Sequence, residues 1–295
     1  MSRQSYYEAT ARDRVRGLFD AGSVREFLPP QESASSPHLA RLGLPGALDD
    51  GVVVGAAQLR GRHVLFAAQE GQFMGGAVGE LHGAKVVGTL LRAAHTRPAA
   101  VVFLIDSGGV RLHEANAGLI AISEIMRAVL ATRAAGVPVI ALIGGTCGAF
   151  GGMGIVARLC SHVIMSEEGR LALSGPDVIE TVAGVEEFDA RDRALVWRVT
   201  GGKHRLLLGD CDALVEDDVA AFRDAAAQAV AHGVAGAPTV ATMRARHEAL
   251  VRRARRFEGM RDGLEAWRAM GAPAVEDIPM MTAEDAMRLA RALTA

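Results

Sequence analysis

The hydrophobic pattern of this chain changes period several times, and the changes mark its elements. Over residues 6–20, Tyr7, Ala11, Val15 and Leu18 recur at helical spacing and predict an amphipathic helix. Residues 29–50 are rich in Pro, Ser, Gly and Ala and predict a loop over the surface. Two short strands follow, Val52–Leu59 and residues 63–68, with Arg60-Gly61-Arg62 as the hairpin tip. A glycine-rich segment beginning near Gly71 then feeds a helix that ends near Thr96, where Arg97-Pro98 stops it.

Residues 99–105 are a continuous apolar run between breakers, the pattern of a strand buried on both faces. DSGGVRLHE ends that run and leads to a helix marked by Leu119, Ile122, Met126 and Val129, which Gly136-Val137-Pro138 closes. Val139–Ile143 is a second buried strand running into glycines, and residues 163–166 and 171–173 predict another hairpin around Glu168-Gly169. Strand, glycine turn, helix, repeated, is the grammar of an α/β fold built from right-handed β-α-β units. Beyond about residue 235 the pattern becomes helical and Arg-rich over 239–270. A turn at Gly271-Ala272-Pro273 then precedes a last amphipathic helix capped near Thr282. The expected organisation is therefore a main domain over residues 1–235 and a helical C-terminal extension over 236–295.

One stretch, 134–157, carries no charge and is long enough to cross a bilayer. It contains seven glycines and Pro138, so a buried strand entering a glycine turn and a small-residue helix describes it better. The net charge of −2 supplies no global attraction to nucleic acid or anionic membrane. The three cysteines, Cys147, Cys160 and Cys211, form no C-x-x-C pair, which argues against a zinc ribbon or a disulfide framework. Reduced thiols and a polar N-terminus point to a cytoplasmic protein without a metal.

Glycine makes up 34 of 295 residues, above the usual ~7 %, and the excess clusters at 71–88 and 136–154. A buried strand that ends in Gly-Gly and opens a helix leaves backbone N–H groups unpaired at the helix start. Missing side chains let a ligand atom approach those donors, and the helix dipole favours negative charge there. Two such turns on neighbouring strands are able to form an oxyanion hole. Glycines that merely permit tight helix–strand packing explain the spacing equally well.

Three segments carry more. AAQEGQFMGGAVGELHGAKVV, IDSGGVRLHE and GGMGIVARLCSHVIMSEEGRLALSGPDVIE, in that order, resemble the carboxyltransferase branch of the crotonase superfamily. The likeness spans residues 51–181 and, within that branch, is to the β subunits of biotin-independent malonate decarboxylases. It implies a crotonase-like ββα superhelix with a C-terminal helical extension. The implied activity is decarboxylation of a malonyl thioester to acetyl thioester and carbon dioxide through an enolate. The resemblance makes the backbone of Gly151, Gly152, Gly108 and Gly109 the oxyanion donors and lines the pocket with Met74, Gly75 and Gly76. It also implies a phosphoribosyl-dephospho-CoA prosthetic group on an acyl carrier protein. The implied partners are that carrier protein, a second crotonase-like γ subunit and a carrier-protein transferase subunit.

Departures from related patterns narrow the class. The four-cysteine ribbon of some acyl-CoA carboxyltransferase subunits is missing here. GGMGIVARL offers only apolar residues and Arg158 where hydratases carry a carboxylate, and no serine nucleophile lies between Ile143 and Leu159. Two rival expectations remain: a carboxyltransferase subunit of a biotin-dependent acyl-CoA carboxylase or decarboxylase, and a non-catalytic half that orients a catalytic partner. Among side chains, Ser107 is placed either to bond a substrate or to cap the next helix. Arg111 is placed to meet an anion or to pair with Glu114, and His113 to donate a proton. Cys147 reads as packing in a tight turn, and the C-terminal arginines as a solvated face or a meeting point for phosphates or an acidic carrier.

Overall fold

The computed structural model describes residues 3–32, 36–43, 50–233 and 238–294. A seven-stranded sheet runs through it in chain order: β1 (Arg25–Phe27), β2 (Val52–Leu59), β3 (Arg62–Gln69), β4 (Ala100–Ile105), β5 (Val139–Ile143), β6 (His162–Ser166) and β7 (Ala213–Val215). The β1–β2 and β2–β3 pairs are antiparallel, and every later pair is parallel, as β-α-β crossovers require. The helices are α1 (Ala11–Leu18), α2 (Pro37–Arg41), α3 (Glu80–Thr96), α4 (Asn116–Ala134), α5 (Gly152–Leu159), α6 (Pro176–Ala183), α7 (Arg193–Thr200), α8 (Gly202–Leu207), α9 (Val219–His232), α10 (Val240–Arg256), α11 (Gly263–Ala269) and α12 (Ala283–Thr294).

The alternating sides of a strand divide the core in two. On β4, Val101, Phe103 and Ile105 face one apolar layer with α3 and α4, while Ala100, Val102 and Leu104 face the other with α1 and α9. On β5, Val139, Ala141 and Ile143 join the first layer, and Ile140 and Leu142 the second. The uninterrupted apolar runs are therefore strands covered on both faces. This mixed α/β architecture with a mostly parallel sheet agrees with the expected fold class. A smaller cluster of Leu207, Trp267, Val275 and Ile278 ties the C-terminal elements to α8, and α12 lies against α8 and β7. The boundary expected near residue 235 adjoins residues 234–237, which lie outside the described residues, as does part of the expected 29–50 loop.

Two expectations need correction. The first helix begins at Ala11 rather than at residue 6, because Thr10 accepts the Asp13 amide and sets the N-cap there. No hairpin forms around Glu168-Gly169. Leu171 leaves β6 and bridges Ala149 in parallel, while Arg170 bridges Gly201. Leu171 is 3 % exposed, so burial against the layer below outweighs a local turn. The charge-free 134–157 stretch is β5, a glycine turn and most of α5, and among the described residues no helix is long and apolar enough to cross a membrane.

Candidate active site

Adjacent parallel strands β4 and β5 end in register, Ile105 beside Ile143, so both glycine turns emerge at one edge of the sheet. Single bridges continue the pairing beyond the strand ends: Val78 with Val110, Ser107 with Ala149, and Ala149 with Leu171. These bridges stack the 74–78, 107–110, 149–152 and 171–173 segments as a second shelf above the sheet. The two turns abut. A side chain built on Gly151 (φ +56°) would begin 3.3 Å from the Gly109 Cα, and one on Gly109 (φ +122°) would begin 3.6 Å from the Gly151 Cα. The positive φ at both positions favours glycine, and at Gly151 the approach is tight as well. Gly76 is held more tightly still, since its Cβ would lie 1.8 Å from the Asp106 carbonyl oxygen.

Asp106 fastens this arrangement. Its Oδ1 accepts the Cys147 amide at 2.6 Å and the Gly148 amide at 3.2 Å, and its Oδ2 accepts Arg14 Nη1 at 2.8 Å. Both charged groups are almost fully buried. Burial works against the Arg14 cation, but Tyr6 and Asp106 outweigh it and raise its pKa above the ordinary guanidinium value. Arg14 Nε also donates to the Tyr6 carbonyl at 2.8 Å, which anchors the N-terminal segment under the turns. Removing one member of such a buried pair leaves the other charge uncompensated, which is strongly destabilising.

Sequence spacing did not reveal how the turns' amides are used. The Gly151 N–H donates to the Leu173 carbonyl at 2.8 Å, and the Gly108 N–H to the Gly75 carbonyl at 2.8 Å. The Gly109 N–H donates to Ser107 Oγ at 3.1 Å. Three of the four expected donors are thus committed within the protein. The Gly152 N–H, at the first position of α5, and the Val110 N–H have no hydrogen-bond partner among the described residues. Because Gly109 and Gly151 touch, each of these two amides lies one residue beyond the contact.

The side chains sort clearly. Ser107 is fully buried and caps no helix; its hydroxyl shapes the turn through Gly109. Arg111 turns inward, 4 % exposed, where it meets Glu114 at 2.8 Å and the carbonyls of Asp50 and Ala77. Of its two expected roles, pairing with Glu114 is the one observed. His113 is exposed on the 3-10 turn Leu112–Glu114, and Met74 and Gly75 are exposed beside Gly108. Cys147 contacts the Gly71 carbonyl at 3.3 Å, and burial, followed by Asp106, pushes its thiol pKa up. A reactive cysteine is shifted the other way. Leu112, Leu119, Ile120 and Leu173 leave large apolar surfaces exposed on the segments that carry or flank the turns. Clustered exposed apolar residues of this kind mark interaction surfaces. Asp106, Arg14 and Val110 were not singled out from the sequence; the Asp immediately before Ser-Gly-Gly was the available signal.

Comparison with known proteins finds a matching family model, related proteins and solved structures of the same fold. The family model described as "Carboxyl transferase domain" matches residues 5–229. Malonyl-S-ACP:biotin-protein carboxyltransferase of Malonomonas rubra is 45 % identical over 236 residues, covering 75 % of this chain and 74 % of that protein. The methylmalonyl-CoA carboxyltransferase 12S subunit of Propionibacterium freudenreichii subsp. shermanii is 33 % identical over 217 residues, but the chain spans only 38 % of its length. Among solved structures, a Pseudomonas malonate decarboxylase hetero-tetramer in complex with malonate contains a chain 41 % identical to this one. That match has a TM-score of 0.82 and covers 91 % of this chain and 98 % of the other. A Pseudomonas malonate decarboxylase hetero-dimer matches at 39 % identity with a TM-score of 0.67, covering 85 % and 96 % of the two chains. The paired glycine turns at one sheet edge thus sit within the matched residues, and the chain belongs to the carboxyl transferase domain family.

Proposed function

We propose that this chain is a subunit of a malonate decarboxylase that acts on a malonyl thioester presented by a carrier protein. The observation that carries the reading is the Gly152 amide, left open at the N-terminus of α5 beside the Gly109–Gly151 contact. Loss of carbon dioxide from a malonyl thioester leaves the electron pair of the broken C–C bond on the α-carbon and thioester oxygen. Negative charge therefore grows on that oxygen as the bond breaks. A fixed backbone donor there stabilises the transition state more than the substrate, which is the condition for catalysis. One such donor is worth roughly 2.7–4 kcal/mol in a comparable oxyanion site. Here Gly152, with Val110 as the second open amide, takes that role, and the resulting carbanion then takes up a proton.

Gly108, Gly109 and Gly151 act in this account by shaping the turns, since their own amides are committed. Met74, Gly75, Gly76 and His113 border the acyl site, and the exposed Leu112, Leu119 and Ile120 receive a second, fold-related subunit that closes it. The prosthetic group on the carrier supplies the thiol that holds the acyl group as a thioester. Reconstitution tests the whole reading. The chain, combined with a second crotonase-like subunit and the malonyl-loaded carrier, is expected to release acetyl thioester and carbon dioxide without biotin or ATP. Failure with every subunit folded would sink it.

A second reading has its own support. The 45 % identity to a malonyl-S-ACP:biotin-protein carboxyltransferase favours transfer of the carboxyl group to biotin by the same enolate chemistry. Abolition of turnover by avidin selects that reading over direct decarboxylation.

A further inference from the structure

The first of the three motif segments holds polar side chains that take no direct part in the glycine turns. Gln69, at the end of β3, and His82, in the first turn of α3, are fully buried, and Asp50, Lys85, Arg111 and Glu114 are nearly so. They form one hydrogen-bonded chain. Gln69 Oε1 accepts the Asp106 N–H at 3.3 Å, and Gln69 Nε2 lies 3.0 Å from His82 Nε2. His82 Nδ1 lies 3.1 Å from the Asp50 carbonyl oxygen, which also accepts Arg111 Nη2 at 2.9 Å. The Asp50 carboxylate meets Lys85 Nζ at 3.2 Å, and the Glu114 carboxylate accepts both Arg111 Nη1 at 2.8 Å and the Glu80 N–H at 2.7 Å.

The partners fix the protons in this chain. With Gln69 Oε1 taken by the Asp106 N–H, the Gln69 amide nitrogen faces His82 and donates to it. His82 Nε2 therefore accepts and carries no proton. The Asp50 carbonyl only accepts, so His82 Nδ1 carries the proton and donates it. Both ends of the ring demand the same neutral tautomer. Burial, then the Arg111 charge, pushes the His82 pKa down to about 3, which keeps the ring neutral. Lys85 and Arg111 already balance the Asp50 and Glu114 carboxylates in the same chain.

The chain grips the 106–111 turn at both ends. Asp106 starts the turn and hangs from Gln69, while Arg111 ends it and hangs from the Asp50 carbonyl. Between them, the Gly109 carbonyl accepts the Val78 N–H at 2.8 Å, and the Arg111 N–H donates to the Val78 carbonyl at 2.9 Å. Val110, bridged to Val78 in this way, directs its own N–H away from Val78. That N–H is the second open amide of the proposed oxyanion site. We infer that His82 is a positioning residue that aims the Val110 N–H, acting through Gln69 on the Asp106 peptide and through the Asp50 carbonyl it shares with Arg111. Its effect on turnover rests on the decarboxylase reading above. A backbone donor stabilises growing charge only where it is already aimed, and a misplacement of about 1 Å is enough to cost about 10²-fold in rate.

Proton–nitrogen correlation NMR of the full chain reads the His82 ring directly. The parent is expected to show a protonated Nδ1 and a bare Nε2, unchanged between about pH 5 and 8. A bare Nδ1, or a ring that titrates in that range, overturns the inference. His82→Leu removes both ring nitrogens, whereas His82→Gln keeps a side-chain acceptor for the Gln69 amide. The Asp106, Gly109 and Val110 amide signals are expected to shift in His82→Leu and to return toward the parent positions in His82→Gln. In the assembled complex, His82→Leu is expected to lower kcat by about 10–10²-fold with KM nearly unchanged, and His82→Gln to recover part of the loss. A folded His82→Leu chain with a lower Tm but an unmoved Val110 amide, or with parental kcat, makes His82 a packing residue only and overturns the inference. Gln69→Leu, which cuts the chain one bond nearer the turn, takes the place of His82→Leu if that variant does not fold, with the same expected shifts and the same overturning result. A Val110 amide that moves in His82→Leu, when even the parent complex releases no carbon dioxide, leaves the positioning role standing and defeats the decarboxylase reading alone.

Discussion

The two ends of α5 are built differently: abutting glycine turns stand at its N-terminus, and arginines gather around Asp210 near its C-terminus. At the turns, the proposed chemistry comes from backbone N–H groups, and side chains are excluded because the 76, 109 and 151 positions have no room or no suitable dihedral for them. At the other end, Arg158, Arg205 and Arg253 reach one carboxylate, Asp210, from α5, α8 and α10. Backbone donors are placed by the fold and need no reorganisation, which suits charge that appears only in a transition state. Side-chain donors adapt, which suits tying neighbouring elements together. Substitutions should therefore act almost all-or-none at the turns and in graded steps in the arginine cluster.

Predictions follow that contrast in order of size. Asp106→Ala leaves Arg14 buried without its carboxylate and frees the Cys147 and Gly148 amides. A loss of about 3–5 kcal/mol is expected, read by denaturant unfolding. A variant as stable as the parent would remove Asp106 as the fastener of the turns. Gly75→Ala has open space around its Cβ but a φ of +66°, so a stability loss of about 1–2 kcal/mol is expected from the left-handed dihedral alone. No change there would show that the turn relaxes. Cys147→Ser should leave turnover nearly unchanged. The raised thiol pKa means less thiolate at any given pH, so alkylation should gain speed only above the ordinary thiol range. Rapid modification near neutrality would contradict the assigned environment.

The same contrast explains what could be read from the chain. Strands β2 to β5 were legible because their apolar runs are buried on both faces, and the breakers around them sit at true element ends. The Arg111–Glu114 pair was legible because its partners are three residues apart. The use of each amide was not, since Gly108 and Gly151 give their donors to Gly75 and Leu173, carbonyls brought from distant segments by the shelf of single bridges. Asp106 was equally hidden: its partner Arg14 lies 92 residues away. Leu171 was misread as a hairpin strand because local pattern cannot show that Ala149 is its partner. Glycine spacing located the site, and tertiary pairing decided which donors it leaves open.

The central claim is that the Gly152 N–H holds the developing enolate oxygen. A Cβ at this position would meet Ile122 at 2.5 Å, so the comparison belongs in an Ile122→Ala background. There, Gly152→Ala keeps the N–H, whereas Gly152→Pro removes it at the one helical position where proline is well tolerated. The measurement is carbon dioxide release at saturating malonyl thioester by the assembled complex, with thermal unfolding of both variants as the control for folding. The account predicts that the proline variant is slower than the alanine variant by about 10²–10³-fold. Equal turnover in two equally folded variants would contradict it.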